Sequence, residues 1–287
     1  MPRRRPSLMV LLILAFLPFA ASSAPWERLF APDAELWDIW TPYTPSSELH
    51  VDHGDWDTLL KAHLVRGPNG VMRVDYAGFA RDRAVLDRYL ARLAATEVRG
   101  LDRPDQFAYW INLYNALTVR VVLDHPDVES IRDIDISPGL FASGPWGAEL
   151  VTVQGQPLTL NDVEHRILRP IFDDPRIHYA VNCASIGCPD LRAEAYAPER
   201  LDAQLDGQAR GYVNHSRGAH VDGDGGLQVS SIYVWFREDF GGTEKGVIDH
   251  LLRHAEGSLR NHLITTGEIA GDAYDWQLNG TVLDRTD

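Results

Sequence analysis

The sequence predicts an α+β fold: a single, mostly helical domain with a central buried helix, short β-hairpins and a small sheet. Three observations predict it. From Asp102 to near Pro126, apolar residues recur at helical spacing almost all round the helix, which places it inside a core. Residues 149–160 and 220–230 read as hairpins, turning at Gln154-Gly155 and at Asp222 to Gly226. No internal repeat, low-complexity tract or linker divides the chain between these elements.

Taken in order, residues 25–50 form an irregular lead-in. It holds Pro25, Pro32, Pro42 and Pro45 with Trp26, Trp37 and Trp40. A single globular domain is expected over residues 51–287. Residues 57–65 suit a short helix stopped by Gly67-Pro68, and Asn69-Gly70 turns the chain into a strand at 71–74. Residues 82–95 are amphipathic, with Val85, Leu86, Tyr89, Leu90 and Leu93 on one face. Asp102 is placed to cap the central helix, and Pro104 sits in its first turn, where a missing N–H costs nothing. Asn112 and Asn115, three apart on that helix, share a side; buried amides must be paired.

After the first hairpin, Asn161 is expected to cap a short helix that ends before Pro170. Residues 176–183 read as a buried strand. Pro198 starts a helix over 197–213. Residues 231–240 suit a short aromatic helix closed by Gly241-Gly242, and Thr243 caps a helix over 244–255.

Composition narrows the function classes. The chain has 287 residues, 45% hydrophobic, with two cysteines and a formal charge of −14. The apolar fraction is that of a globular protein, and the acidic excess argues against nucleic acid and against anionic lipid. Residues 1–24 read as a secretory signal peptide. Arg3, Arg4 and Arg5 precede an apolar run from Leu8 to Ala21, and small residues follow it. Removing three arginines makes the charge −17. The expected location is periplasmic or secreted, with no membrane contact once the signal is cleaved. Export makes Cys183 and Cys188 candidates for oxidation.

The chemistry concentrates at residues 176–189, RIHYAVNCASIGCP. Cys183 at a strand end could gain the access, positive surroundings and base that a reactive thiol needs. In a strand, His178 would point to the opposite face from Cys183, so His165 is the easier base. The alternatives are a Cys183–Cys188 disulfide, for which the spacing suffices, and zinc bound by the cysteines with His165 or His178. Glu164 beside His165 suggests an acid–base pair, but Asn161-x-x-Glu164 also fits a capping box, the favoured reading. Arg166 and Arg169 could clamp a carboxylate. His250 and His254 read as a solvated helix face. No metalloprotease, serine-hydrolase, nucleotide-binding or dinucleotide-binding signature occurs.

Five segments in order resemble one family: FAYWINLYNALT at 107–118, EHRILRP at 164–170, RIHYAVNCASIGCP at 176–189, IYVWFREDF at 232–240 and YDWQLN at 274–279. Together they resemble domain of unknown function 547, over roughly residues 50–280. The resemblance implies a site that includes Glu164, His165, His178 and both cysteines; it implies no activity. The expected function is a cysteine-dependent hydrolase or acyl transferase. Cys183 would be the nucleophile and His165 or His178 the base. Asn182, Asn112 or a backbone N–H would hold the oxyanion, and Asn115 and Arg169 would help to bind a small molecule or peptide. The rival is a non-catalytic binding domain with a Cys183–Cys188 disulfide, and the third reading is a zinc enzyme.

Overall fold

Hydrophobic periodicity organises the observed chain around one helix. The structure, a computed structural model, describes residues 32–139 and 143–281. The leader read at residues 1–24, and the lead-in up to residue 31, lie outside the described residues. Residues 32–50 are irregular apart from a single 3-10 turn, Asp38–Trp40.

Helix α1 (Gly54–His63) leads into the hairpin β1 (Leu64–Arg66) and β2 (Met72–Val74). Helices α2 (Tyr76–Arg81) and α3 (Arg83–Ala94) pack on α4 (Arg103–Asp124). Asp102 caps α4 by accepting from the Asp105 N–H, and every residue from Asp105 to Val119 is buried. A second hairpin follows, β3 (Val151–Val153) with β4 (Gln156–Leu158). Then come α5 (Arg169–Phe172), α6 (Ile177–Ala180) and α7 (Leu201–Val213). Strands β5 (Ala219–Val221) and β6 (Leu227–Ser230) pair antiparallel. Beyond α8 (Ile232–Trp235), α9 (Glu244–His254) and α10 (Gly257–Thr265), strand β7 (Gly271–Ala273) joins β6 in parallel. The helix-rich architecture with small sheets is α+β. Among the described residues, no helix is long and apolar enough to cross a membrane.

Two apolar clusters carry most of the packing. The larger surrounds α4; the other joins Tyr179 of α6 to α7, α9 and the three-stranded sheet. The C-terminal run ties them together. Leu278 bridges to Ser185, Gln277 to Ser130 and Gly280 to Val74, so the last residues hold the cysteine segment against β2.

The two asparagines of α4 fix the chain that crosses it. Asn112 donates to the Tyr196 carbonyl at 2.8 Å and accepts from the Tyr196 N–H at 3.0 Å. Asn115 donates to the Ala180 carbonyl at 2.9 Å and accepts from the Asn182 N–H at 2.8 Å. These amides replace a ladder partner for irregular backbone in a dry interior.

Two local expectations are corrected, and one helix is new. Residues 176–183 are not a strand: 177–180 form α6, and only Val181 onward is extended. A short apolar run is buried on every side, so periodicity does not separate strand from helix there. Asp174 decides it locally, accepting from the Arg176 N–H at 2.9 Å and starting a turn that α6 continues. His250 is not on a solvated face; it is buried and lies 2.8 Å from the Tyr179 hydroxyl. Helix α10 was not legible, because only Leu263 of its nine residues is buried.

Replacing Asn115 with leucine leaves the Ala180 carbonyl and the Asn182 N–H buried and unpaired. The variant is expected to lose about 2–4 kcal/mol of stability, read as a lower urea midpoint with an unchanged slope.

Candidate functional site

The site is built on a helix that should have stopped. Pro170 has no N–H, and in a regular helix it would strand a carbonyl one turn back. Here residues Asp162–Leu168 widen into a π-helical segment that runs straight into α5. The carbonyls of His165 and Arg166 accept instead from the Glu35 and Trp37 N–H groups, at 2.9 and 3.0 Å. The lead-in thus repairs the helix, and Pro170 does not end it as the sequence suggested. A π-bulge shifts side chains out of α register, a device common at functional sites.

The helix start also differs. Thr159 and Asp162 cap reciprocally: the Thr159 N–H donates to Asp162, and the Asp162 N–H donates to the Thr159 hydroxyl, each at 3.0 Å. Asn161 has helical backbone angles and caps nothing. Glu164 is therefore not part of a capping box. It is buried, and it lines a cavity of about 720 Å³ together with His165, His178 and Cys183.

Behind the His165 and His178 wall of this cavity lies a charge cluster. The Arg169 guanidinium grips Asp239, with Nε to Oδ2 at 2.6 Å and Nη2 to Oδ1 at 3.1 Å. Its Nη1 donates to the Pro32 carbonyl at 2.8 Å and to Nδ1 of His165 at 3.0 Å. His178 of α6 reaches the same carboxylate, Nε2 to Oδ2 at 2.6 Å. Burial opposes ionisation of Asp239, but the bonds from His178 and Arg169 win and hold it well below the usual carboxylate range. Phe236 stacks on both rings, at 4.5 Å from His178 and 5.7 Å from His165.

This wiring redefines three expected residues. Four of the five Arg169 N–H groups are taken by protein and the residue does not line the cavity, so it positions the wall. An arginine only donates, so Nδ1 of His165 accepts and its proton sits on Nε2. Burial, then Arg169, push the His165 pKa well below its ordinary value. Burial also lowers that of His178, against the pull of Asp239. Neither imidazole is a hydrogen-bond partner of Cys183.

The partners of the Cys183 sulfur are Cys188 Sγ at 3.1 Å, Ser185 Oγ at 3.2 Å and Tyr274 Oη at 3.0 Å. Both thiols are free. The expected disulfide is not formed, though the two sulfurs face one another. Donation from Cys188 above all, and from Ser185 and Tyr274, brings the Cys183 thiol down to about 7 against the burial that raises it. Burial pushes the Cys188 thiol well up. Cys183 is partly exposed and Cys188 is buried.

The turn between them is fixed by its neighbours. A Cβ on Gly187 would lie 2.7 Å from the Asp275 N and 2.9 Å from the Tyr274 ring. That close approach is what seats the Tyr274 hydroxyl on the Cys183 sulfur. Ala184 takes a left-handed conformation, φ 61°, with its N–H held by Asn182 Oδ1 at 2.9 Å.

The amides expected to hold an oxyanion or a substrate are engaged in holding backbone. Asn182 spends its side chain on the Ala184 N–H, the Pro189 carbonyl and Asn279. Asn112 and Asn115 are consumed by backbone, as described above. None of the three lines the cavity.

Glu164 is the acid the sequence undervalued. Burial raises its pKa to about 7, with Arg169 and the Tyr114 hydroxyl opposing. It stands 3.8 Å from His178 Nδ1. The far wall is aromatic: Trp235 stacks on Trp276 at 5.6 Å, and Tyr274 and Trp146 pack against Trp276. Among the described residues, no group of three or more His, Cys, Asp or Glu side chains is arranged to hold a metal ion. Sequence reasoning missed Asp239, Tyr274, Phe236 and Tyr114. Asp239 and Tyr274 lie inside quoted motifs, but a single carboxylate or phenol carries no spacing signal.

Fold and site together define an α+β protein with a thiol-bearing, half-aromatic cavity. Residues 98–213 match the family model described as protein of unknown function, DUF547. The match includes Glu164, His165, His178 and both cysteines, but Asp239 and Tyr274 fall beyond it. Neither a curated protein nor a solved structure matches the chain.

The raised Glu164 pKa has a stability consequence. An unfolded glutamate ionises near 4.5, whereas the native one holds its proton to about 7. Native stability therefore falls as pH rises through that window. Glu164→Gln has no proton to lose, so its stability relative to wild type should rise by up to about 3 kcal/mol between pH 4.5 and 8. Urea midpoints of both proteins at those two pH values check this.

Proposed function

We propose that the protein is an exported thiol-dependent enzyme of the hydrolase or acyl-transfer type, with Cys183 as nucleophile. One observation carries the reading. An acidified, partly exposed thiol and a carboxyl raised to about 7 line the same cavity.

A thiol near 7 is substantially ionised at neutral pH and needs no imidazole to take its proton. The thiolate attacks the carbonyl carbon of an ester, thioester or amide. The Tyr274 hydroxyl, kept protonated by burial, stands beside the sulfur to donate to the developing oxyanion. Glu164, half protonated near neutrality, gives its proton to the leaving group as the thioester forms. The resulting carboxylate then takes a proton from the water, or acceptor alcohol or amine, that attacks the thioester. Its pKa near the working pH suits both steps. His165, His178, Arg169 and Asp239 act as positioning residues. The aromatic wall suits the apolar part of a small-molecule or peptide substrate.

Iodoacetamide labelling of Cys183 should follow a midpoint near pH 7, against the ordinary thiol value of 9. Para-nitrophenyl acetate should leave an acetyl group on Cys183, detected by mass, and Cys183→Ser should abolish it. Glu164→Gln should still acylate but release acetate about 10²–10⁴-fold more slowly. No adduct from an ester or a thioester, or full hydrolysis by the serine variant, would sink the proposal.

A further inference from the structure

The mechanism above uses one cysteine, yet the second lies against it. Cys188 is 4% exposed, and its sulfur is 3.1 Å from that of Cys183. The Cys183 N–H also points at the Cys188 sulfur, at 3.1 Å. A disulfide requires about 2.05 Å. Closure therefore takes a movement of about 1 Å within a turn already bonded from Cys188 N to the Ser185 carbonyl at 3.2 Å. The pair is asymmetric in access: both cysteines line the cavity, but Cys183 is partly exposed and Cys188 is buried.

We infer from this juxtaposition that Cys183 and Cys188 form a dithiol that reduces organic disulfides small enough to enter the cavity. The inference rests on the reading of Cys183 as a nucleophile and adds an activity to it. The steps balance. The Cys183 thiolate attacks one sulfur of the substrate disulfide, forming a mixed disulfide and breaking the substrate S–S bond. The departing thiolate takes the Cys188 proton. The Cys188 thiolate, with the Cys183 N–H directed at it, then attacks the Cys183 sulfur and expels the second substrate thiolate. Two electrons pass to the substrate, and the protein is left with a Cys183–Cys188 disulfide. Two equivalents of an external thiol return it to the dithiol by the same exchange and leave as their own disulfide.

Two features favour this order. The buried sulfur cannot easily meet a bulky disulfide, so first attack falls to Cys183. The aromatic wall lies beside it: the Tyr274 ring, whose hydroxyl touches the Cys183 sulfur, packs 4.9 Å from Trp235 and 4.7 Å from Trp276. A flat or apolar substituent on the substrate has a surface to rest on while the second thiol acts.

The chain has two cysteines, so stoichiometry reads the chemistry directly. Pre-reduced protein is mixed with excess dithiobis(nitrobenzoate), an aryl disulfide with a coloured product. The full chain should release two nitrothiobenzoates, retain none and end two hydrogen atoms lighter. Cys188→Ser should release one and retain one as a mixed disulfide. Cys183→Ser should release none over the same time. Retention of one adduct by the wild-type chain would overturn the dithiol inference while leaving Cys183 a nucleophile. Retention of two would also overturn it, showing two independent thiols. Reaction of Cys183→Ser at the wild-type rate would overturn both readings. The wild-type mass decides the matter even where a variant fails to fold.

Discussion

The Asp239 carboxylate is the constraint on which the site depends. Three chain segments meet at it: Arg169 from the helix that passes Pro170, His178 from α6, and the aromatic turn that carries Asp239 itself. Each charge taken alone would be expensive in this interior. Together they satisfy most of their hydrogen-bonding capacity, and Arg169 extends the cluster to Pro32 and His165. Removal of one member would leave the others buried and uncompensated, so the cluster specifies geometry as much as it stabilises. Arg169 and Asp239 are largely occupied by one another, whereas His165 and His178 each keep one ring nitrogen outside the cluster and line the cavity; the proposed mechanism places its chemistry on Glu164, Cys183 and Tyr274.

A second network supports the thiol side. Asn115 holds the chain on both sides of Val181, Asn182 turns it at Ala184, and the C-terminal run presses Tyr274 onto the sulfur. The thiol is acidified by hydrogen-bond donors and not by a neighbouring cation. That distinction matters chemically. Donors hold the thiolate where a base would otherwise be needed, and they remain in place as charge moves onto a substrate.

The π-helical segment links the two networks. Its irregularity arises from a proline that a strong apolar pattern carries into the helix, and the lead-in supplies the missing donors. Residues 32–40 are therefore structural partners of the site, although their composition reads as a loose extension.

Much of the fold was legible because local rules decide it. Asp102 and Pro104 start α4, Gln154-Gly155 turns the hairpin, Thr243 caps α9, and the apolar period of residues 107–122 marks the core helix. Glu164, His165, His178 and Cys183 were legible as a group, and one cavity gathers them. What the sequence could not decide were properties of the dry interior. Nothing local distinguishes a capping glutamate from one buried at a cavity wall, or a strand from a single helical turn enclosed on all sides. The wiring of Arg169 and His178 to Asp239, across 61 to 70 residues of chain, has no local signal at all. The sequence by itself determined the helical core, its caps and the chemical types available. Tertiary packing alone decided which of them are free to react, because proton affinity and access depend on burial and on partners far away in the chain.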